Sequence, residues 1–186
     1  MNPSTAQILE VVESVPSPEV VLLPNNENIQ PVAMQVVELA TKPVTVVPTS
    51  GIVEGFAALL EYDPESDAAD NAANMADSAR RIVSGEVTRS VRSTEGPTGP
   101  IDKGDWLGLS REGIEVVGGS LDEVCCALLE KLIEPRHELV TLIEGDGARA
   151  QDTRRVTEWL DENHEAVAVE VHHGGQPLYP YLISIE

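Results

Sequence analysis

Two short apolar runs, each cut off by a polar loop, constrain this chain most. Val20-Val21-Leu22-Leu23 stops at Pro24-Asn25-Asn26-Glu27-Asn28, and Val44-Thr45-Val46-Val47 stops at Pro48-Thr49-Ser50-Gly51. Helical spacing runs between them from about Ile29 to Ala40, with Val32, Val36, Val37 and Leu39 on one stripe. The order is strand, loop, helix, strand, loop. A right-handed crossover makes such strands parallel and sets both loops at one end of the sheet. Open α/β sheets bind their ligands at that end. Position alone therefore nominates Asn25, Asn26, Thr49 and Ser50. Their amides and hydroxyls, with a free helix N-terminus, suit a carboxylate or phosphate. Equally, Asn28 and Ser50 read as helix caps and Asn25-Asn26 as a turn.

Charge narrows the partners. The 186 residues hold 12 Lys plus Arg against 32 Asp plus Glu, a formal charge of −20. DNA, RNA and anionic membranes would repel such a surface. Only 3% of residues are aromatic, so stacking platforms for single strands are not expected either, and the core must come from Val, Leu, Ile and Ala. The acidity reads as a solubility property or as the mark of a basic partner. Arg80, Arg81, Arg89 and Arg92 gather positive charge and are candidate partner contacts, or surface ion pairs.

Cys125 and Cys126 are adjacent on an expected helix and cannot easily bridge each other, which points to a reducing compartment. Met1 to Thr5 has neither a basic segment nor an apolar core, so no secretory leader is expected. No apolar run approaches the roughly 20 residues of a membrane span. A cytoplasmic location follows as the expectation.

The remaining pattern predicts a helix after Pro3-Ser4-Thr5, one after Ser50-Gly51, and one over Asp67 to Val83 with Gly85 as its C-cap. Then the texture changes. Glu86 to Arg92 alternates like a strand, Ser93 to Pro100 reads as a hairpin or loop, and Ile101–Leu109 and Gly113–Val117 read as antiparallel strands. A helix over Leu121–Glu134 with Ser120 as N-cap, strands at Leu139–Ile143 and Ala166–Val171, and a helix over Gln151–His164 follow, before an apolar tail. The expected fold is α/β: a small parallel α/β subdomain over residues 1–84, then an α+β subdomain with a mixed sheet over 85–186. Two strands are few for a parallel sheet. Either a segment is missing ahead of Met1 or the second part completes the sheet.

No nucleophile elbow, P-loop, zinc-protease motif or kinase glycine loop is present. Gly145-Asp146-Gly147 could form an anion nest or a tight turn. Asp102 and Asp105 around Lys103-Gly104 read as a turn, and His172-His173 should point to opposite faces of a strand, so no metal site is expected.

Several motifs together resemble one family. Met1-Asn2-Pro3-Ser4-Thr5, Leu23-Pro24-Asn25-Asn26-Glu27-Asn28-Ile29, Val47-Pro48-Thr49-Ser50-Gly51 with Gly55, Gly85-Glu86-Val87-Thr88, Val91-Arg92, Lys103-Gly104-Asp105 and Gly174-Gly175-Gln176-Pro177-Leu178-Tyr179-Pro180 occur in this order. The set resembles the C-terminal region of the dihydroxyacetone-kinase-like large subunit of bacterial fatty acid kinase. That resemblance implies a DegV-like fold. It also implies that ATP and magnesium belong to an N-terminal kinase domain absent here, so the chain needs no cofactor and lacks kinase activity alone. In DegV-type fatty-acid-binding proteins the corresponding loops hold the fatty-acid carboxylate, and the matching residues here are Ser4, Thr5, Asn25, Asn26, Thr49 and Ser50. The kinase subunit's own region is instead implied to dock such a carrier.

Three functions stay open on this reading. The first is a non-catalytic domain that docks a DegV-type fatty-acid-binding protein beside a kinase domain of the same or a separate chain, with a homodimer as a further expectation. The second is a small-ligand domain for a fatty acid or anion. The third is a phosphatase or kinase acting alone.

Overall fold

The computed structural model describes residues 2–96 and 99–186. Met1, and Pro97 and Thr98 in the expected hairpin, lie outside the described residues. The chain divides into two compact units between Ile82 and Val83. The expected boundary near Ser84 lies two residues further on, inside a strand.

The first unit runs α1 (Thr5–Ser14), β1 (Val20–Leu22), α2 (Gln30–Leu39), β2 (Val44–Val46), α3 (Ile52–Leu60) and α4 (Ala68–Arg81). β1 and β2 pair in parallel, Val20 opposite Val44 and Leu22 opposite Val46. Alternation along the strands sorts their side chains to two faces. Val20, Leu22 and Val44 pack with Val12 of α1 and Val36 of α2. Val21, Leu23 and Val47 pack with Ala58 of α3 and Ala72, Met75 and Ala79 of α4. Helices therefore cover both faces, which is why the strands read as unbroken apolar runs. The small stripe of α4 lets it lie close. Asp67 caps that helix by accepting from the Ala69 and Asp70 amides at 3.0 and 2.9 Å.

The second unit runs β3 (Val83–Arg89), β4 (Thr94–Gly96), β5 (Gly99–Ile101), β6 (Trp106–Ser110), β7 (Gly113–Gly118), α5 (Leu121–Leu132), β8 (Leu139–Glu144), α6 (Ala150–Asn163), β9 (Ala168–His173) and β10 (Tyr181–Ile185). Its six-stranded sheet has the order β7-β6-β3-β10-β8-β9, with β8 and β9 parallel and the other pairs antiparallel. Val87, Val140, Leu142, Tyr181, Ile183 and Ile185 meet Leu128 and Leu129 of α5 and Val156 and Leu160 of α6 in one core.

Three expectations are corrected. Gly85 is no helix cap: α4 ends at Arg81, and Gly85 sits in β3 opposite Ile183. A Cβ there, or at Gly108 of β6, would come within 3.2 Å of Leu128, so both glycines let α5 approach the sheet. The apolar tail is strand β10 at the centre of the sheet, with all five residues buried. It shows no apolar–polar alternation because both its faces are covered. Finally, the second unit does not complete the first sheet. Among the described residues β1 and β2 pair only with each other.

Candidate functional site

The aligned register of β1 and β2 starts their following loops at one level, and the two loops are tied together. Asn25 adopts φ 52°, a left-handed conformation that Asn tolerates better than most residues. This turns its backbone N–H to donate to Thr49 Oγ1 at 3.0 Å, while the Thr49 hydroxyl donates back to Asn25 Oδ1 at 2.7 Å. Thr49 is fully buried and Asn25 half-buried, so the Thr49 side of the pair is shielded from water. Gly55, in the first turn of α3, makes room: a Cβ there would lie 2.2 Å from Asn25 Oδ1.

Gln30, the first residue of α2, reaches across with Nε2 donating to Thr49 O and Ser50 Oγ, each at 3.3 Å. The Ser50 N–H donates to Glu54 Oε2 at 2.6 Å. Glu54 is 1% exposed, and its carboxylate sits in the first turn of α3, where the helix dipole favours it. The donor most suited to an incoming anion thus already has an acceptor of the chain's own.

The structure brings Asn25, Thr49 and Ser50 together and gives the other candidates different bonds. Asn26 Oδ1 accepts from the Asn28 N–H at 2.9 Å, an Asx turn. Neither expected cap is one: α2 begins behind Ile29 and α3 behind Gly51, with no side-chain cap at either. Ser4 caps α1 in a capping box with Gln7, and the Thr5 hydroxyl donates to Gln35 of α2 at 2.8 Å. Sequence reading missed Gln30 and Glu54. Glu54 three residues after Gly51 was the available signal, since an acid at that place reaches back to the helix start.

The Gly145-Asp146 and Asp102–Asp105 turns have backbone partners within the chain. Gly145 and Asp146 direct their N–H groups to Pro180 O and Gln176 O at 2.9 and 2.8 Å, and Gln176 Nε2 donates to Ile143 O at 2.9 Å. The supposed anion nest is therefore filled by the Gly174–Pro180 segment. A Cβ on Gly145 would meet Tyr179 O at 2.3 Å, which explains that glycine. Asp102 and Asp105 close a turn in which the Asp105 N–H donates to Asp102 O at 3.1 Å. Among the described residues no three His, Cys, Asp or Glu side chains group to hold a metal ion. Burial pushes the Cys125 thiol well above its ordinary range and that of Cys126 up to about 11, so both stay protonated and weakly nucleophilic at neutral pH. Of the four arginines, Arg80 and Arg81 end α4 in the first unit, where Arg80 pairs with Asp77. Arg89 and Arg92 lie in the second unit, and the Arg89 guanidinium stacks 4.5 Å from the Trp106 ring centroid. No helix is long and apolar enough to cross a membrane among the described residues.

A family model for the C-terminal region of FakA-like fatty acid kinase subunits matches residues 1–186. The chain belongs to that family. Protein YloV of Bacillus subtilis (strain 168) is 37% identical over 188 residues, covering all of this domain and 34% of its own length. The domain thus spans about a third of the length of the curated relatives it matches. Its fold is similar to that of the Streptococcus pneumoniae fatty acid kinase B3 protein loaded with linoleic acid, at TM-score 0.65 and 9% identity over 99% of the domain and 76% of that chain. It is also similar to the dihydroxyacetone kinase of C. freundii in complex with AMP-PNP and Mg2+, at TM-score 0.62 and 16% identity over 98% of the domain and 41% of that chain. At such identities the likeness is one of fold: α/β and DegV-like.

Proposed function

We propose that this domain docks a DegV-type fatty-acid-carrying protein within a fatty acid kinase and contributes positioning rather than a catalytic group. ATP and magnesium would sit on a separate kinase domain of the same or another chain. Holding a carrier in register can lower a barrier by several kcal/mol without any reacting side chain. One observation carries the reading. The Ser50 N–H, in the loop that would meet a fatty-acid carboxylate, is taken by the buried carboxylate of Glu54. A second carboxylate there would have to displace that acceptor from the same N–H. Family membership and the DegV-like fold agree with the role. Arg80, Arg81, Arg89 and Arg92 are the proposed charged contacts.

Isothermal titration of the purified chain with a fatty-acid-loaded DegV-type protein tests the reading. Saturable binding is expected, weakened by alanine at Arg80 and Arg81 or at Arg89 and Arg92. Absence of binding to several such carriers rejects docking, and binding unchanged in both double variants rejects the arginine contacts.

A second reading, an apolar-ligand domain, has its own support. The first unit holds a hollow of about 600 Å3 lined by Val20, Val21, Leu23, Leu59, Tyr62 and Met75 among others. That volume suits a small apolar ligand. Native mass spectrometry followed by organic extraction decides: a stoichiometric bound fatty acid would favour this second reading over docking.

A further inference from the structure

The second unit holds a hollow of about 430 Å3 whose lining departs from the rest of this acidic chain. Arg89, Arg149 and Arg155 face it together with Trp106, Ser120 and Asp122. Counting Asp152, three guanidiniums meet two carboxylates there, a local excess of positive charge in a chain of net charge −20. Distant acids weaken this little, since salt screens exposed charges beyond about 10 Å.

The arginines come from different places and are each held. Arg89 ends β3 and sits over Trp106, with its guanidinium carbon 4.5 Å from the ring centroid. Among the described residues it has no carboxylate partner. Arg149 binds the nearly fully buried Asp152 through Nε at 2.8 Å and Nη2 at 3.2 Å. Arg155 Nη1 donates to Asp122 Oδ2 at 2.8 Å across from α6 to α5. These bonds hold Arg149 by two N–H groups and Arg155 by one, and leave further N–H donors on each. The α5 start lies at Ser120, and the α6 start at Arg149 has no side-chain cap, so two helix N-termini add to the same field. The assignment stands on the guanidiniums, and the helix ends reinforce it.

We propose that this hollow is a binding site for a small phosphate monoester. A tetrahedral phosphate offers acceptor oxygens in several directions to guanidiniums arriving from β3 and α6, whereas a carboxylate is flat and satisfied by one fork. The hollow exceeds the phosphoryl group, which leaves room for the attached organic part. The site does not rest on the docking reading. Arg89 is common to both, and the two are separated by their probes.

The test titrates the full chain at about 0.1 M ionic strength with inorganic phosphate and with phenyl phosphate, following Trp106 fluorescence and backbone amide shifts. Trp159→Phe leaves Trp106 as the sole tryptophan reporter. Saturable binding below about 10 mM is expected, with the largest shifts at Gly119–Leu121 and Gly147–Gln151. Arg89→Gln and the pair Arg149→Gln/Arg155→Gln should each weaken it by about tenfold or more. Arg89→Lys, which keeps the charge and loses the fork, should fall between. Circular dichroism confirms that each variant is folded. No saturation, equal response to sodium acetate at matched ionic strength, or unchanged affinity in folded variants would overturn the site.

Discussion

The loops behind β1 and β2 and the arginine hollow of the second unit use polar groups in contrasting ways. In the first, donor and acceptor are matched within the chain: Asn25 with Thr49, Ser50 with Glu54. In the second, the arginines exceed the carboxylates that hold them. Polar residues at strand ends are therefore no sufficient sign of a ligand. What counts is whether their donors already have acceptors.

The contrast extends to what holds each unit together, and substitutions can break it. Ile183→Ala, in the fully buried centre of β10, should cost about 3–4 kcal/mol. Trp106 and Trp159 both lie in the second unit, so fluorescence-detected urea unfolding reads that loss. Gly55→Ala strikes the first unit through polar ties. The new Cβ would lie 2.2 Å from Asn25 Oδ1, and displacing that side chain should cost about 2 kcal/mol, read by far-UV circular dichroism. Thr49→Val removes the hydroxyl and leaves the Asn25 amide without its acceptor. A loss of about 1–2 kcal/mol is expected, with faster hydrogen exchange at Asn25 and recovery in Thr49→Ser.

The smallest effect is at Asp122. The Arg155 hydrogen bond holds its carboxyl below the ordinary value of 3.8. A depressed folded-state pKa adds stability above the unfolded value, lost as pH falls through the folded one. Asp122→Asn should therefore cost less than about 1 kcal/mol at neutral pH, and the gap to the parent should narrow as pH falls below the ordinary carboxyl value of 3.8. A gap that persists there would mean that packing, not charge, is what the variant disturbs.

The first unit was legible because its signals are local. Apolar runs ended by proline, and helices spaced between them, state the βαβ order without any distant contact. Asn25, Thr49 and Ser50 were found by that position alone. Glu54 was not, because an acid in a helix reads as surface until its burial is known. Ser4 and Thr5, brought in by resemblance, bond within α1 and to α2 instead. The second unit was harder where context overrides pattern. Gly85 looks like a helix stop because the need for a bare backbone beneath Leu128 is tertiary information. The arginine hollow joins residues from Arg89 to Arg155, a grouping that spacing does not display.

β10 follows the other strands of its sheet in sequence and lies between β3 and β8 in space. During synthesis β3, β6 and β7 can pair as one ribbon, and β8 with β9 as another, while the strand that joins them is still being made. Until it arrives, both ribbons expose an unpaired edge beside apolar side chains, the condition that invites wrong pairing between chains. The closing step also links segments far apart in the chain, which slows it. Pairing of β10 closes both edges in one step, so it protects this unit from wrong pairing more than completion of either ribbon does.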